Sequence, residues 1–329
     1  MKKYIVAGIL FAATMLVSCG GLQSFTFDQL YPAEVTFPEQ VRTVAVVNHT
    51  PTIPFPKKDL LTLGRLEGDG KVLSESLAGG LADSRYFHQV IISDSVITQE
   101  LTGGEILPQS VVDSLTRVLG VDMILSVDRI QLLTGKKEVY YPGLMAPFAA
   151  FDLKMRPVLR AYIPSRVMPV VTISKVDSLL WDLNPTLSDY DVVNEASQHT
   201  GFTLVNQLVP HWKSVERIYF DGGNPDMRDA AVSLREGDWQ EAGRLWKNLY
   251  DSLKKGKLKS RAAFNMALAC EVQGMMSEAV DWIEKAKGCA TKGSEEDRAA
   301  AFYATILQER AKDFQLLNLQ MARFGNKFN

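Results

Sequence analysis

Residues 237–242, Gly-Asp-Trp-Gln-Glu-Ala, are followed 37 positions later by residues 274–279, Gly-Met-Met-Ser-Glu-Ala. The same offset relates Trp246 to Ile283. A fixed period of roughly 20–50 residues indicates stacked structural repeats. In such a repeat, glycine permits a sharp turn between two helices, and alanine permits their close approach. The C-terminal part of the chain is therefore predicted to be a stack of helical hairpins.

This pattern resembles the tetratricopeptide repeat. The positions that carry the resemblance are Gly237, Trp239, Ala242, Trp246, Ala267, Gly274, Met276 and Ala279. We interpret these residues as packing residues. Residues 226–325 are predicted to hold two clear units, followed from Glu295 by a degenerate or capping unit in which Lys312 replaces the turn glycine. A plain helical bundle is the alternative.

The resemblance implies a protein-binding array in which the first helix of each unit lines a groove. An extended peptide or a partner helix is the expected occupant of that groove. Arg228, Arg235 and Arg261 are the candidate polar side chains that line it.

Residues 41–221 have the pattern of an α/β (or α+β) sheet domain. The predicted order is a strand at 42–48, a helix from Asp69-Gly70, a strand at 86–92, a helix from Leu107-Pro108 to Gly120, and a strand at 121–132. Apolar and charged residues then alternate over 151–163, which is typical of a half-buried antiparallel strand, although Pro157 favours an edge or a bulge. A long helix from Asp189 to Leu208 and a strand at 212–220 complete the domain, and residues 221–225 are the predicted linker.

Three phrases in this domain carry a second resemblance. They are V-A-V-V-N at 44–48, L-A-D-S-R-Y-F-H-Q-V at 81–90 and L-G-V-D-M-I-L-S-V at 119–127. The region resembles the periplasmic α/β domain of curli-secretion-type lipoproteins. This resemblance implies an alternative function, namely a subunit of an oligomeric export pore in the outer membrane.

The N-terminus has the features of a secretion signal. Lys2 and Lys3 precede an apolar run from Tyr4 to Val17, which has the length of a signal-peptide core and is too short to span a bilayer. Residues 16–19, Leu-Val-Ser-Cys, resemble the bacterial lipobox. Residues 1–18 are therefore predicted to be a cleaved signal peptide.

The lipobox implies that Cys19 becomes the acylated N-terminus of a bacterial lipoprotein. Two or more acyl chains give stable anchoring. Because no Asp follows Cys19, the resemblance implies the outer membrane, and we expect the periplasmic face. Residues 19–40 are predicted to be the lipidated cysteine and a tether. Loss of Lys2 and Lys3 changes the formal net charge from −2 to −4.

Composition and motifs exclude several classes of function. A formal charge of −2 over 329 residues rules out a strongly basic nucleic-acid-binding protein. Four histidines lack metal-ligand spacing, and no catalytic constellation or cofactor motif is found in the sequence. We predict no metal, no cofactor and no enzymatic activity, with a periplasmic hydrolase as a second alternative. A disulfide between Cys270 and Cys289 is not expected, because a core and a loop position seldom meet at bonding distance.

The lipobox, the sheet domain and the terminal repeats together resemble an uncharacterised family of outer-membrane lipoproteins with C-terminal tetratricopeptide repeats. The predicted function is a membrane-anchored protein-binding or scaffold module of the cell envelope. Its predicted partners are the membrane, through Cys19, and another protein or peptide, through the repeats.

Overall fold

The computed structural model describes residues 21–51, 63–93, 105–140, 148–166, 169, 171–174, 177–182 and 188–325. The predicted signal peptide and Cys19 lie outside these residues. The strands are β1 (Leu22–Tyr31), β2 (Thr43–Asn48), β3 (Gly64–Glu67), β4 (Gln89–Ser93), β5 (Met123–Val139), β6 (Phe148–Tyr162), β7 (Val171–Ile173), β8 (Asp177–Asp182) and β9 (His211–Phe220). The helices are α1 (Gly70–Ser84), α2 (Gln109–Leu119), α3 (Asp189–Leu208), α4 (Pro225–Arg235), α5 (Trp239–Ser252), α6 (Lys257–Val272), α7 (Met276–Cys289) and α8 (Glu295–Met321).

The described residues form two compact units. Residues 34–209 form a mixed-sheet unit, whereas residues 21–33 and 210–325 form a helical unit. An N-terminal sheet region followed by consecutive C-terminal helices confirms the predicted fold class at this level.

The sheet of the mixed-sheet unit has the order β4-β2-β5-β6-β7. Strand β2 runs parallel to β4 and to β5, while β6 runs antiparallel to β5. The short strands β3 and β8 add to β5 and β6. The predicted strands and helices occur in the predicted order, as β2, α1, β4, α2 and β5, with the short strand β3 added between β2 and α1. The later strands make the sheet mixed.

Local sequence explains how the first two helices begin and end. The Asp69 carboxylate accepts hydrogen bonds from the backbone N–H groups of Lys71 and Val72, which caps α1. Gly120 ends α2 in the left-handed conformation, as predicted. Helical spacing predicts one apolar face of α2 made of Val111, Val112, Leu115, Val118 and Leu119. This prediction is wrong at Val118, which is 78% exposed.

Strand β6 is not an edge strand, so that part of the prediction for Pro157 is wrong. It pairs with β5 on one side and with β8 and β7 on the other. Pro157 falls between the residues paired with β8 (150–155) and those paired with β7 (159–161), where a strand tolerates a missing N–H. The predicted bulge does occur nearby, on β5 between Val127 and Arg129.

In the helical unit, helices α4 to α8 follow one another and each packs against the next. The two turns related by the 37-residue offset have the same geometry. Gly237 and Gly274 have φ values of +82° and +76°. The N–H groups that follow them, of Asp238 and Met275, each bind a carbonyl five residues earlier at 2.9 Å. The repeat is therefore present in the backbone as well as in the sequence.

No turn forms at Lys312, the residue that replaces the turn glycine in the predicted degenerate or capping unit. Helix α8 runs without a break from Glu295 to Met321. A non-glycine residue at the turn position lets the helix continue, because only glycine enters the left-handed turn without steric cost. The last unit is therefore one long helix.

Residues 22–31 are part of the fold and not of a tether, which corrects the prediction for this part of residues 19–40. These residues form β1, which pairs antiparallel with β9 along its whole length, from Leu22 opposite Phe220 to Tyr31 opposite His211. The two strands pack with the helices rather than with the sheet of residues 34–209. The helical unit thus includes β9, which the sequence placed in the sheet domain, and it is not all-α. We call the β1–β9 pair the ribbon.

Candidate functional sites

Most of the apolar residues of the repeat pattern lie in the interior of the helical unit. Ala242, Trp246, Ala267 and Ala279 are fully buried, and Met276 is 6% exposed. Trp239 is only half-buried. These side chains build the helix stack, and Trp239 also reaches its surface.

The three candidate groove arginines have different surroundings. Arg228 and Arg235 are exposed on α4, and Arg235 donates a hydrogen bond of 2.8 Å to the Tyr219 hydroxyl. Arg261 is 4% exposed, and its Nε atom donates to Glu296 at 2.8 Å. Arg261 is therefore a buried structural residue, and the prediction that it lines a groove is wrong.

Electrostatics explain how Arg261 is held in the interior. Its guanidinium carbon lies 4.6 Å from the centre of the Phe220 ring. Burial raises the pKa of Glu296, but hydrogen bonds from its own backbone N–H, from Arg261 and from Lys257 outweigh burial and lower the pKa overall. The charged pair is thus favoured over two neutral groups.

A buried polar network joins the ribbon to the helices. Glu271 of α6 accepts hydrogen bonds from Gln29 Nε2 at 2.8 Å and from Arg217 Nη2 at 2.8 Å. It also accepts one from the Tyr303 hydroxyl at 2.5 Å. Glu271 is 3% exposed and Gln29 is 5% exposed. Charge-assisted hydrogen bonds of this kind are stronger than neutral ones, so the network fixes the ribbon on α6 and α8.

Two side-chain amides bind the extended backbone that runs through and beyond the ribbon. Asn265 of α6 accepts from the Phe220 N–H at 2.9 Å and donates to the Phe220 carbonyl at 2.6 Å. Gln320 of α8 accepts from the Ala33 N–H at 2.8 Å and donates to the Ala33 carbonyl at 3.0 Å. The helices of this unit therefore recognise extended chain through its peptide groups, which are the same in any sequence.

The helical unit also has a shallow surface depression of about 390 Å³ at the turn between α4 and α5. Its lining residues are Glu236, Gly237, Asp238, Trp239, Gln240 and Gln273. Arg235 precedes it in sequence, and Val232 on the same helix is 43% exposed. Tryptophan and arginine are the residue types that dominate binding energy at protein interfaces.

The mixed-sheet unit holds one buried cluster of charged groups at Asp128. Its carboxylate accepts from Arg160 Nη1 at 2.5 Å and from Ser126 Oγ at 2.5 Å, and His49 Nδ1 lies 3.1 Å away. Because a carboxylate only accepts, His49 Nδ1 carries the proton. Burial and the nearby Asp128 charge raise the pKa of Tyr162 beside it.

The strand order explains where this cluster lies. His49 follows β2, and Asp128 is the extra residue of the β5 bulge. In the sheet, β4 lies on one side of β2 and β5 lies on the other side. The cluster therefore lies at the point where the strand order reverses direction. Open α/β sheets bind ligands at such points.

The geometry of the cluster differs from a catalytic triad. In a triad, histidine bridges the nucleophile and the acid. Here the Ser126 hydroxyl binds Asp128 directly, and His49 Nε2 has no hydrogen-bond partner among the described residues. His49 is 1% exposed. The cluster ties β2, β5 and β6 together.

The remaining candidate chemistry concerns metals, cysteines and membrane-spanning helices. Over the ranges that the structure describes, no three His, Cys, Asp or Glu side chains are placed to share a metal ion. Cys270 is buried and unpaired, and burial raises the pKa of its thiol to about 11. No helix among these residues combines the length and the hydropathy needed to cross a bilayer.

Sequence reasoning missed Asn265, Glu271 and Gln320. The available signal was a polar residue within an otherwise apolar helical stretch, such as Asn265 between Phe264 and Met266. A polar residue at a core position requires a hydrogen-bond partner. The sequence does not say that Asn265 binds the end of β9, 45 residues earlier, or that Glu271 binds Gln29 of β1, 242 residues earlier.

Comparisons with known proteins place the chain among domains of unknown function. A family model described as "Domain of unknown function (DUF8603)" matches residues 41–220, and one described as "Domain of unknown function (DUF6340)" matches residues 228–309. No curated protein matches the chain. A solved structure of the hypothetical protein CT253 from Chlamydia trachomatis matches with a TM-score of 0.29 and 8% identity, over 50% of this chain and 96% of that one.

Proposed function

The chain belongs to the DUF8603 family of unknown function, and we propose that it is a lipid-anchored scaffold protein of the bacterial cell envelope. In this proposal, Cys19 carries the acyl chains, and the protein resides at the periplasmic face of the outer membrane. The helical unit is a short tetratricopeptide-like array that binds another protein.

The 37-residue backbone repeat supports the array assignment. Each unit is a pair of helices joined by a glycine turn, and fully buried alanines lie at equivalent positions, such as Ala242 and Ala279. Tetratricopeptide units have a similar length of about 34 residues and the same helix–turn–helix form. The long helix α8 serves as the terminal cap.

The bidentate binding of the chain's own backbone by Asn265 and Gln320 supports the proposed binding function by analogy. The exposed Arg228 and Arg235 and the Trp239 depression are the observations that carry it. An array whose helices hold extended chain in this way is suited to peptide recognition. The ribbon already occupies this face at α6 and α8. We therefore assign the partner surface to α4 and the Trp239 depression, with Arg228 and Arg235 as its exposed cations and without Arg261.

Crosslinking in cells, followed by purification of the lipidated protein, tests this assignment. We expect the double charge reversal R228E/R235E to reduce partner recovery about thirtyfold, which corresponds to the loss of one interface hot spot of about 2 kcal/mol. The variant K312E is the matched control, because Lys312 is an exposed cation on α8. Unchanged recovery with R228E/R235E would refute the assigned surface.

A second experiment tests the anchor. Replacement C19S should abolish acylation, as seen by mass spectrometry of the N-terminal peptide, and release the protein from the membrane fraction. Light scattering of the detergent-extracted wild type distinguishes the scaffold from the export-pore alternative, which requires a ring of several subunits.

A further inference from the structure

The ribbon fixes how close the proposed anchor is to the folded helical unit. Strand β1 begins at Leu22, and the Gly21 carbonyl accepts a hydrogen bond of 2.7 Å from the Asp221 N–H. Two peptide steps separate Gly21 from Cys19, which is at most about 7 Å of chain. A lipid on Cys19 therefore holds the adjacent end of the helical unit at the membrane surface.

The residues at that end can be traced from Gly21. A Cβ atom added at Gly21 would lie 2.6 Å from the Gly222 nitrogen, and one added at Gly223 would lie 2.9 Å from a methyl carbon of Leu258. Leu258 lies in the first turn of α6. Because consecutive helices in the stack run in opposite directions, this end also holds the end of α5, the end of α7 and the start of α8.

This end carries a dense group of lysines. Residues 254–259 have the sequence Lys-Lys-Gly-Lys-Leu-Lys, and Lys285 and Lys292 lie at the end of α7 and just beyond it. Lys257 pairs with Glu296, and Lys259 donates to the Leu253 carbonyl. Lys254, Lys255, Lys285 and Lys292 are exposed and have no ion-pair partner in the described part of the chain, although the Lys285 ammonium lies 4.0 Å from the centre of the Trp282 ring.

Acidic groups at the same end only partly offset these lysines. Glu295 and Glu296 are engaged by Arg261, and Glu284 pairs with Lys287. Asp221 and Asp226 flank the start of α4. Asp297, in the first turn of α8, accepts a hydrogen bond from the Gly293 N–H and has no ion-pair partner among the described residues. The four unpaired lysines outnumber these three aspartates, although the whole chain is acidic with a formal charge of −2. Positive charge is therefore concentrated where the anchor attaches.

We propose that the basic turn of residues 254–259 is a membrane-contact site that binds the headgroups of anionic phospholipids. The inference rests on the proposed anchor at Cys19. Lysines act on an anionic surface only within about one Debye length, about 8 Å at physiological salt. The short link to Cys19 holds this end of the helical unit close to the bilayer, and the acyl chains and the turn together orient the unit there.

Amide hydrogen exchange of the lipidated full-length protein, reconstituted in vesicles, tests the site. One set of vesicles is pure phosphatidylcholine, and the other contains phosphatidylglycerol. Each lysine near an anionic surface strengthens association about fivefold. We expect residues 253–260 to exchange at least fivefold more slowly in the anionic vesicles, and 0.5 M NaCl should abolish the difference.

The variant K254E/K255E should lose this protection. The control K136E/K137E makes the same charge change at an exposed lysine pair of β5 and should keep it. Equal exchange in both vesicle types, with the protein retained on the vesicles, would overturn the membrane-contact site and leave the anchor intact. Failure of the wild type to stay on either vesicle would instead refute the anchor.

Discussion

Replacing Glu271 with alanine should detach the ribbon from the helical unit. Glu271 is the shared acceptor for Gln29 of β1, Arg217 of β9 and Tyr303 of α8. Without it, the Arg217 charge and the Tyr303 hydroxyl lose their common partner in the interior. The substitution therefore tests whether residues 22–31 are part of the fold.

The magnitude follows from the burial of the pair. The side chain of Glu271 is fully buried, and that of Arg217 is 10% exposed. Burial alone lowers the pKa of Arg217, but the hydrogen bond and charge of Glu271 outweigh burial, so the pKa is raised. Removing one partner of a buried ion pair costs about 3–5 kcal/mol. This is a large part of a typical domain stability of about 5–15 kcal/mol.

Urea unfolding followed by tryptophan fluorescence measures the free energy of unfolding, because Trp239, Trp246 and Trp282 all lie in the helical unit. Hydrogen exchange of residues 22–31 measures the release of β1 directly. Glu278→Ala is the matched control, because Glu278 is exposed on α7 and its loss should change stability by no more than about 0.5 kcal/mol.

A loss below about 1 kcal/mol for Glu271→Ala, or unchanged exchange of β1, would refute this account of the network. The double variant R217M/E271L separates charge from packing. Hydrophobic replacement of a buried ion pair is often neutral or stabilising, so this variant should recover the part of the loss that comes from the unpaired Arg217 charge. The part that comes from the lost hydrogen bonds of Gln29 and Tyr303 should remain.

Three further predictions concern the helical unit. Trp246→Ala should lower its free energy of unfolding by about 3–5 kcal/mol in urea titrations, whereas Trp212→Ala, at a side chain that is 69% exposed, should have little effect. Because burial raises the pKa of Cys270 to about 11, the stability that depends on its neutral thiol is fully present below the ordinary thiol pKa. That contribution is lost as pH rises towards about 11, and a Cys270→Ala variant should lack this dependence in unfolding titrations. Gly274→Ala should lower the melting temperature because its φ is +76°, while Gly288→Ala, in helix α7 with open space around its Cα, should raise it.

Several elements of this fold could be predicted from sequence because local physical chemistry determines them. The buried run of β2, the spacing of Leu73, Leu77 and Leu81 in α1, and the Gly120 cap all depend on neighbouring residues. The 37-residue repeat belongs to the same group, since each turn is made within one helix pair.

Elements that depend on distant partners could not be predicted in this way. Residues 22–31 lacked a clear period, and only pairing with residues 211–220 makes them a strand. Arginine is a residue type that usually lies at the surface. Glu296 and the Phe220 ring nevertheless hold Arg261 in the interior. The sequence predicts an edge or a bulge at Pro157. It does not show that Pro157 lies between the residues of β6 that pair with β8 and those that pair with β7.

The sequence by itself determined an N-terminus that resembles a lipobox, a sheet region followed by repeats, and the spacing of the repeat turns. Only the tertiary structure decided that the segment after Cys19 is a strand on the helices and that Asn265 and Gln320 bind its extended chain. The reason is that repeats and caps are set by contacts a few residues apart. Strand pairing and buried ion pairs, in contrast, join residues whose proximity exists only after folding.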